Sequence, residues 1–206
     1  YTFCMCPGGQ VVNASSEPGH LCVNGMSYRR RDGAQANAAL VCGVSPADFG
    51  SDGPLAGIAF QRRLEAAAWA VSRDFRAPVQ RVEDFLAGRP TRRFGDVTPT
   101  VRPGAVPADA GAVLPPAVAG ALRAALPVLD GQMPGFALPD AVLTAVEART
   151  SSPVRVPRGE DGQSLAVPGL FPAGEGAGYA GGIVSAAVDG LRAAAAVIRS
   201  GRPPLA

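Results

Sequence analysis

Residues 169–183, GLFPAGEGAGYAGGI, decide how this chain is interpreted. The apolar start of the segment predicts a buried strand, its glycines predict a tight turn, and the residues from Gly182 onward predict a helix. Glycine lets a backbone approach a ligand closely, and a helix N-terminus offers unpaired N–H groups and the positive end of a dipole. Glu175 adds one carboxylate inside the turn, where it can accept hydrogen bonds from hydroxyl groups. The segment therefore indicates a nucleotide or flavin cofactor.

Three glycines of this segment, Gly176, Gly178 and Gly181, match the pattern G-x-G-x-x-G. In a dinucleotide-binding domain that pattern opens a strand–helix–strand unit, and an acidic residue about 20 positions further on binds the ribose. Here one helix follows, with no second strand and no acidic residue near that position before Ala206. The match therefore fits the last strand–helix unit of a domain whose opening unit lies elsewhere. A tight turn that binds no ligand is the alternative interpretation.

The composition indicates a globular chain with many turns. The 206 residues suffice for one large domain or two small ones, and 47% of them are apolar against 17% charged. The 26 glycines and 20 prolines predict irregular connections. A net charge of +2 without a long basic stripe disfavours nucleic acid as a partner. Because the chain begins at Tyr1 and lacks the opening unit, we expect it to be a fragment of a longer protein.

The most apolar helix, over residues 183–198, bears on localisation. It is too short to span a bilayer and carries Asp189 and Arg192. The beginning of the chain also lacks the features of a signal peptide. These features predict a cytoplasmic protein without a membrane partner.

The cysteines are few, and two of them form a C-x-C pair, Cys4 and Cys6. In a regular strand they would share a face with Cα atoms roughly 6.5–7 Å apart, which is long for a disulfide. The absence of C-x-x-C spacing predicts no metal site. We therefore predict free thiols in a reducing cytosol. Because the turn at residues 7–9 follows directly, redox-active thiols beside a cofactor are the alternative, which makes Cys4 and Cys6 the candidate catalytic residues.

The rest of the chain predicts an α+β fold in which β-rich ends pack around a helical middle. Turn-separated apolar runs predict strands at residues 1–5, 10–14, 21–24, 38–44, 142–150 and 154–156. Helical periodicity predicts helices at residues 54–72, 82–87, 115–129 and 182–200. Residues 89–113, rich in Arg, Pro, Gly and Thr, predict an irregular connector.

Several motifs together resemble a known family. They are FCMCPGG at residues 3–9, VNGMS at 23–27, DGPLAG at 52–57, PVQRV at 78–82, RTSSPVR at 149–155 and GEGAGYAGG at 174–182. In this combination the chain resembles the C-terminal portion of the poorly characterised FAD-dependent dehydrogenases, also called NAD(FAD)-utilising dehydrogenases. These belong to the two-dinucleotide-binding-domain flavoproteins. The resemblance covers nearly the whole chain.

The resemblance implies a division of the chain and a set of cofactor-binding residues. Residues 1–145 would form a β-rich substrate-side (cap) domain with a helical insertion, and residues 146–206 the closing strand–turn–helix of the FAD-binding domain. The upstream Rossmann half, which holds the pyrophosphate and adenosine in this family, is absent here. Arg155 would be a candidate for contact with an anionic group. The residues implied to bind FAD are Gly174, Glu175 and Gly176 in the turn, with Glu175 on the ribityl chain, and Gly181, Gly182 and Ile183, whose N–H groups would face the flavin N1/O2 edge.

The function that the resemblance implies is an FAD-dependent oxidoreductase. The flavin would pass hydride or electrons between a nicotinamide donor, NAD(P)H, and an unknown small-molecule or protein acceptor. The missing N-terminal FAD-binding half would be the partner, so this chain alone would be inactive and would bind FAD weakly. A binding or assembly module that retains the fold without catalysis is the alternative. A flavoprotein that modifies nucleic acid is a third hypothesis, which the near-neutral charge disfavours.

Overall fold

The strands of the N-terminal region arise from short runs in which apolar and polar residues alternate, separated by turns that contain proline and glycine. In the computed structural model, which describes residues 1–201, they form two antiparallel pairs. Strand β1 (Thr2–Cys6) pairs with β4 (Asn37–Leu40), and β2 (Gly9–Asn13) pairs with β3 (Val23–Ser27). All four of these strands were predicted, with end points that differ by a few residues.

A three-stranded sheet lies in the middle of the chain. Its central strand, β5 (Ala77–Arg81), runs parallel to β6 (Ala105–Pro107) and antiparallel to β7 (Val142–Thr144). Neither β5 nor β6 was predicted, because β5 contains a proline and β6 lies in the supposed connector. Both become strands through pairing with each other, and the carbonyl of Pro78 still accepts a hydrogen bond from the Ala145 N–H at 3.0 Å.

Four α-helices complete the fold of residues 1–201. They are α1 (Ala56–Ser72), α2 (Val82–Leu86), α3 (Pro116–Gln132) and α4 (Ile183–Arg199). Each corresponds to a predicted helix, because alanine-rich apolar periodicity and N-terminal prolines are strong local signals. None of the helices within residues 1–201 has the length and hydropathy needed to cross a bilayer.

The chain divides into two compact units. The first comprises residues 1–48 and 60–148, and the second comprises residues 49–59 and the chain from Arg149 onward. Both hydrophobic clusters of the described residues belong to the first unit. One is built around Leu21, Val23, Ala68, Ala77, Val79, Val101, Ala110, Val113, Ala145 and Val146, and the other around Val82, Phe85 and Leu126.

The second unit consists of loops, the first turn of α1 and α4, and it corrects part of the predicted fold. The α+β class is confirmed, but the strands predicted at residues 154–156 and 169–171 are not formed, and the strand predicted at 142–150 ends at Thr144. No strand of the described residues lies beside them. Their backbone groups bond in turns instead, as in Ser164 N–H to the Leu170 carbonyl at 2.8 Å. Residues 202–206, the end of the predicted closing segment, lie outside the described residues.

Candidate functional site

The glycine-rich segment before α4 folds as a turn that only glycine can form. The N–H of Tyr179 donates to the carbonyl of Gly174 at 3.0 Å, and the N–H of Gly178 donates to the carbonyl of Glu175 at 2.8 Å. Gly174 and Gly178 have φ of 73° and 83°, a region that side-chain-bearing residues rarely adopt. At Gly178 a Cβ atom would also lie 2.7 Å from the Val154 carbonyl oxygen. We call residues 174–183 the glycine loop.

The buried carboxylate of Asp189 on α4 anchors the start of the glycine loop to the helix. Asp189 Oδ2 accepts a hydrogen bond from the Gly174 N–H at 2.8 Å, and both Asp189 oxygens accept from the Arg158 guanidinium, at 2.6 and 3.0 Å. Arg158 also donates to the Pro172 carbonyl at 2.7 Å. The hydrogen bond from Arg158, followed by that from Gly174, lowers the pKa of Asp189 to about 2. Asp189 is therefore charged at neutral pH and ties the loop to the helix.

Tyr179 is the second fixed point of the loop. Its hydroxyl donates to the Val156 carbonyl at 3.1 Å and accepts from the Arg158 N–H at 3.0 Å. The guanidinium carbons of Arg158 and Arg155 lie 3.7 and 4.3 Å from the centre of its ring, which are cation–π distances. Arg155, predicted as a candidate for an anionic group, therefore stacks on Tyr179, and its contact with an anion stays a prediction.

Parts of the loop face open space. A Cβ atom placed on Gly174, Gly176 or Gly181 would meet no described atom within 4 Å. Within residues 1–201, the Glu175 carboxylate makes no hydrogen bond and no ion pair. The loop is thus held by contacts at Gly174, Gly176, Ala177, Gly178 and Tyr179, while the Glu175 carboxylate stays uncommitted.

The start of α4 adds unpaired donors to the glycine loop. Gly182 is the N-cap and has no side chain to accept from the first-turn amides. Among the described residues, no group accepts a hydrogen bond from the N–H of Gly181, Gly182 or Ile183. These are the donors that the sequence predicted for a flavin edge, and the helix dipole gives them a positive potential.

The candidate cysteines lie in the first unit, on a strand less regular than predicted. Phe3 pairs with Ala39 and Cys6 with Asn37, so β1 has one extra residue there, a β-bulge. Cys4 takes a φ of 54° within it. The expectation that Cys4 and Cys6 share one face of a regular strand is therefore wrong, because the bulge breaks the alternation. None of the four cysteines, all within residues 1–201, forms a disulfide, as predicted for this pair.

The surroundings of Cys4 disfavour its thiolate. Local desolvation is the largest cause that raises its pKa, and the charges of Glu147 and Cys6 add to it. Glu147 is itself half-buried, and desolvation raises the pKa of its carboxyl. A catalytic role for Cys4 or Cys6 stays a prediction. Within residues 1–201, no group of three or more His, Cys, Asp or Glu side chains is arranged to hold a metal ion.

Sequence reasoning missed the residues that shape the site. Asp189 was noted only as a charge within an apolar helix, and Arg158 and Tyr179 were not singled out. One signal was available, because a single acidic residue in an alanine-rich helix needs a partner when it faces inward. The partner could not be identified, since 31 positions separate Arg158 from Asp189.

Comparisons with known proteins show the family of the chain, although the matched family model ends before the glycine loop. Residues 1–150 match the family model described as "FAD-dependent protein, C-terminal domain-like". An uncharacterised protein of Clostridium beijerinckii is 47% identical over 199 residues, which cover 96% of this chain and 37% of that protein. The chain thus spans little more than a third of the length of this relative. The resemblance stated from the motifs is confirmed, and the chain belongs to the family of the C-terminal domain-like region of FAD-dependent proteins.

Proposed function

We propose that this chain is the C-terminal part of an FAD-dependent oxidoreductase and that its glycine loop holds the flavin end of the cofactor. The observation that carries the proposal is that one short loop holds both the uncommitted Glu175 carboxylate and the amides of residues 181–183, which have no acceptor among the described residues. Hydroxyl donors of a ribityl chain suit a carboxylate, and acceptor atoms of a ring edge suit N–H groups. The family supports the identity of the cofactor.

The residues behind the loop hold this surface in shape. Asp189 fixes the Gly174 N–H, and Tyr179 fixes the chain between residues 156 and 158. A binding surface whose backbone is already ordered loses less conformational entropy when a ligand binds. The loop is therefore organised before the cofactor arrives.

FAD supplies hydride and electron transfer, here between a nicotinamide donor, NAD(P)H, and a small-molecule or protein acceptor. The role of this chain is to position the ring and to polarise its edge. The amides of Gly181, Gly182 and Ile183, at the positive end of α4, stabilise negative charge that develops on the ring edge. Glu175 orients the ribityl chain and takes no part in bond making.

The partner in this proposal is the remainder of a longer polypeptide. A protein with 47% identity is matched over only 37% of its length, so most of such a protein lies beyond the region shared with this chain. We propose that the remainder binds the pyrophosphate and adenosine, which leaves this chain alone with weak affinity for FAD. Free cysteines fit a reducing compartment, and we propose the cytoplasm.

The test is flavin retention by the longer protein. We expect Glu175→Ala to weaken retention of the flavin absorbance band, because the ribityl hydroxyls lose their acceptor, while the thermal melt stays within a few degrees of the parent protein. Glu160→Ala removes an exposed carboxylate from the same unit and serves as the matched control.

A second variant probes the amide edge. Gly181→Val places its side chain in open space, so we expect the fold to tolerate it. The side chain blocks the approach of a ring to the backbone, and we therefore expect flavin to be lost.

A folded, colourless parent protein would favour the non-catalytic module. Retention of flavin in both variants would refute the assigned site. Titration of the 206-residue chain with FAD gives a further check, since micromolar affinity would contradict the division of the binding site.

A further inference from the structure

Helix α4 carries an apolar stripe on the face that points away from its own unit. Five of its six large aliphatic side chains are between 41% and 92% exposed: Ile183, Val184, Val188, Leu191 and Ile198. At 100° per residue these positions share one side of the helix. Asp189 and Ala196, which are buried, lie on the other side. We call these five residues the outer stripe.

This arrangement is the reverse of a self-contained amphipathic helix. In such a helix the apolar stripe faces the core and the charged residues face water. In α4 the inward face is held through the carboxylate of Asp189, and the aliphatic face is left open. A contiguous exposed apolar surface of this kind marks an interaction site.

We propose that the outer stripe is the docking surface for the remainder of the longer polypeptide, which presents a complementary apolar face to α4. We infer the occupant from the length of the relative. The region that it shares with this chain covers 96% of this chain but only 37% of the relative, so most of that protein lies outside the shared region. Docking would also enclose one side of the proposed cofactor site, because Ile183 and Val184 lie next to the unpaired amides at the start of α4. The choice of occupant and this last point rest on the proposed function, but the docking surface itself does not require a flavin.

The size of the stripe favours an occupant from the same polypeptide over a second copy of the chain. Five aliphatic side chains offer roughly 300–600 Å² of apolar area when covered. A stable complex of separate proteins buries about 800 Å² on each partner. A surface below that size is sufficient when the partner is tethered, because a tethered partner has a high effective concentration.

The experiment compares Leu191→Glu in two backgrounds, the longer protein and the 206-residue chain. Leu191 is exposed in the chain alone, so there we expect the Tm to change by no more than about 2 °C. In the longer protein the same change puts a charge into a closed apolar contact, and we expect the Tm to fall by about 5–10 °C. Leu191→Met is the matched control, because it keeps the side chain apolar, and it should leave both proteins near their parent values.

Hydrogen exchange of the α4 amides gives a second readout. In the parent longer protein we expect exchange to be at least tenfold slower than in the 206-residue chain, and Leu191→Glu should abolish that difference. Equal effects of Leu191→Glu on Tm in the two backgrounds would overturn the proposal. So would a dimeric 206-residue chain that Leu191→Glu makes monomeric, or sedimentation of the longer protein with anionic phospholipid vesicles that the same variant abolishes.

Failure of the flavin proposal is distinguishable from failure of this one. If the longer protein is colourless but Leu191→Glu still lowers its Tm selectively, the docking surface stands without the cofactor. If flavin is retained and α4 exchanges equally fast in both proteins, the docking surface is refuted while the cofactor site stands.

Discussion

The two units of this chain are stabilised in opposite ways. The first unit buries aliphatic and aromatic side chains in two clusters, with Phe85 and Leu126 at 2% and 1% exposure. The second unit is organised by polar contacts around Arg158 and Asp189, and its longest helix exposes its aliphatic side chains. The first unit therefore has the core of an independent domain. The second has an ordered interior and an apolar exterior, which is the expected form of a part that completes a larger structure.

The largest effect is expected from truncation of the apolar core. Phe85→Ala should cost about 3–5 kcal/mol, because it removes buried area and leaves a cavity among Val82 and Leu126. The single tryptophan, Trp69, packs against the larger cluster, so its fluorescence during urea unfolding reports on the first unit. Leu86→Ala, a neighbouring and partly exposed position, is the control and should cost less than about 1 kcal/mol. Similar losses for both variants would contradict the assigned core.

A smaller effect is expected from removal of the polar anchor. Asp189→Ala leaves the Arg158 guanidinium, which is largely buried, without its carboxylate, and we expect about 3 kcal/mol of lost stability in the second unit. Hydrogen exchange at the Gly174 amide measures it directly, since Asp189 accepts that N–H.

The same variant sharpens the comparison between the units. If they are stabilised separately, the urea midpoint of Trp69 fluorescence should stay at its parent value in Asp189→Ala and shift in Phe85→Ala. An equal shift in both would show that the units unfold together.

Acid should loosen the second unit through the same carboxylate. The pKa of Asp189 in the folded protein, about 2, lies below its ordinary value of 3.8. The stabilisation is therefore complete above about pH 4 and is lost as the pH falls through about 2. Protection of the Gly174 amide, corrected for the intrinsic pH dependence of exchange, should decline over that window. In Asp189→Asn the decline should be absent, and a parent-like decline in that variant would assign the effect to another group.

The smallest effect is expected at Cys4 in the first unit. Because the charge of Glu147 contributes to its raised pKa, Glu147→Gln should increase the fraction of thiolate. We expect alkylation of Cys4 by iodoacetamide at mildly alkaline pH to become faster, by less than about tenfold, since desolvation is the larger cause. The thiol of Cys42 is far in sequence from Cys4 and Glu147, so its alkylation rate serves as the internal reference. A slower reaction in the variant would show that Glu147 acts on Cys4 in another way than by its charge.

Local signals were enough for the helices and for the glycine loop. The periodicity of α1 and α4, and the prolines at the start of α3, act within a few residues of each other. The loop at residues 174–183 could be identified as a candidate site because its glycines and Glu175 are adjacent in sequence. The strands β5 and β6 could not be found in this way, because their pairing joins residues 77 and 105.

The sequence by itself determined the α+β class, the helices, the family resemblance and the position of the glycine loop, since each depends on neighbouring residues. Only the tertiary structure decided that Asp189 and Arg158 meet beside the loop, that a bulge breaks the strand alternation between Cys4 and Cys6, and that α4 turns its aliphatic side outward. The physical reason is that these features depend on which side of an element is covered. A periodic pattern shows that a helix has an apolar face, but only the packed chain shows whether that face is buried.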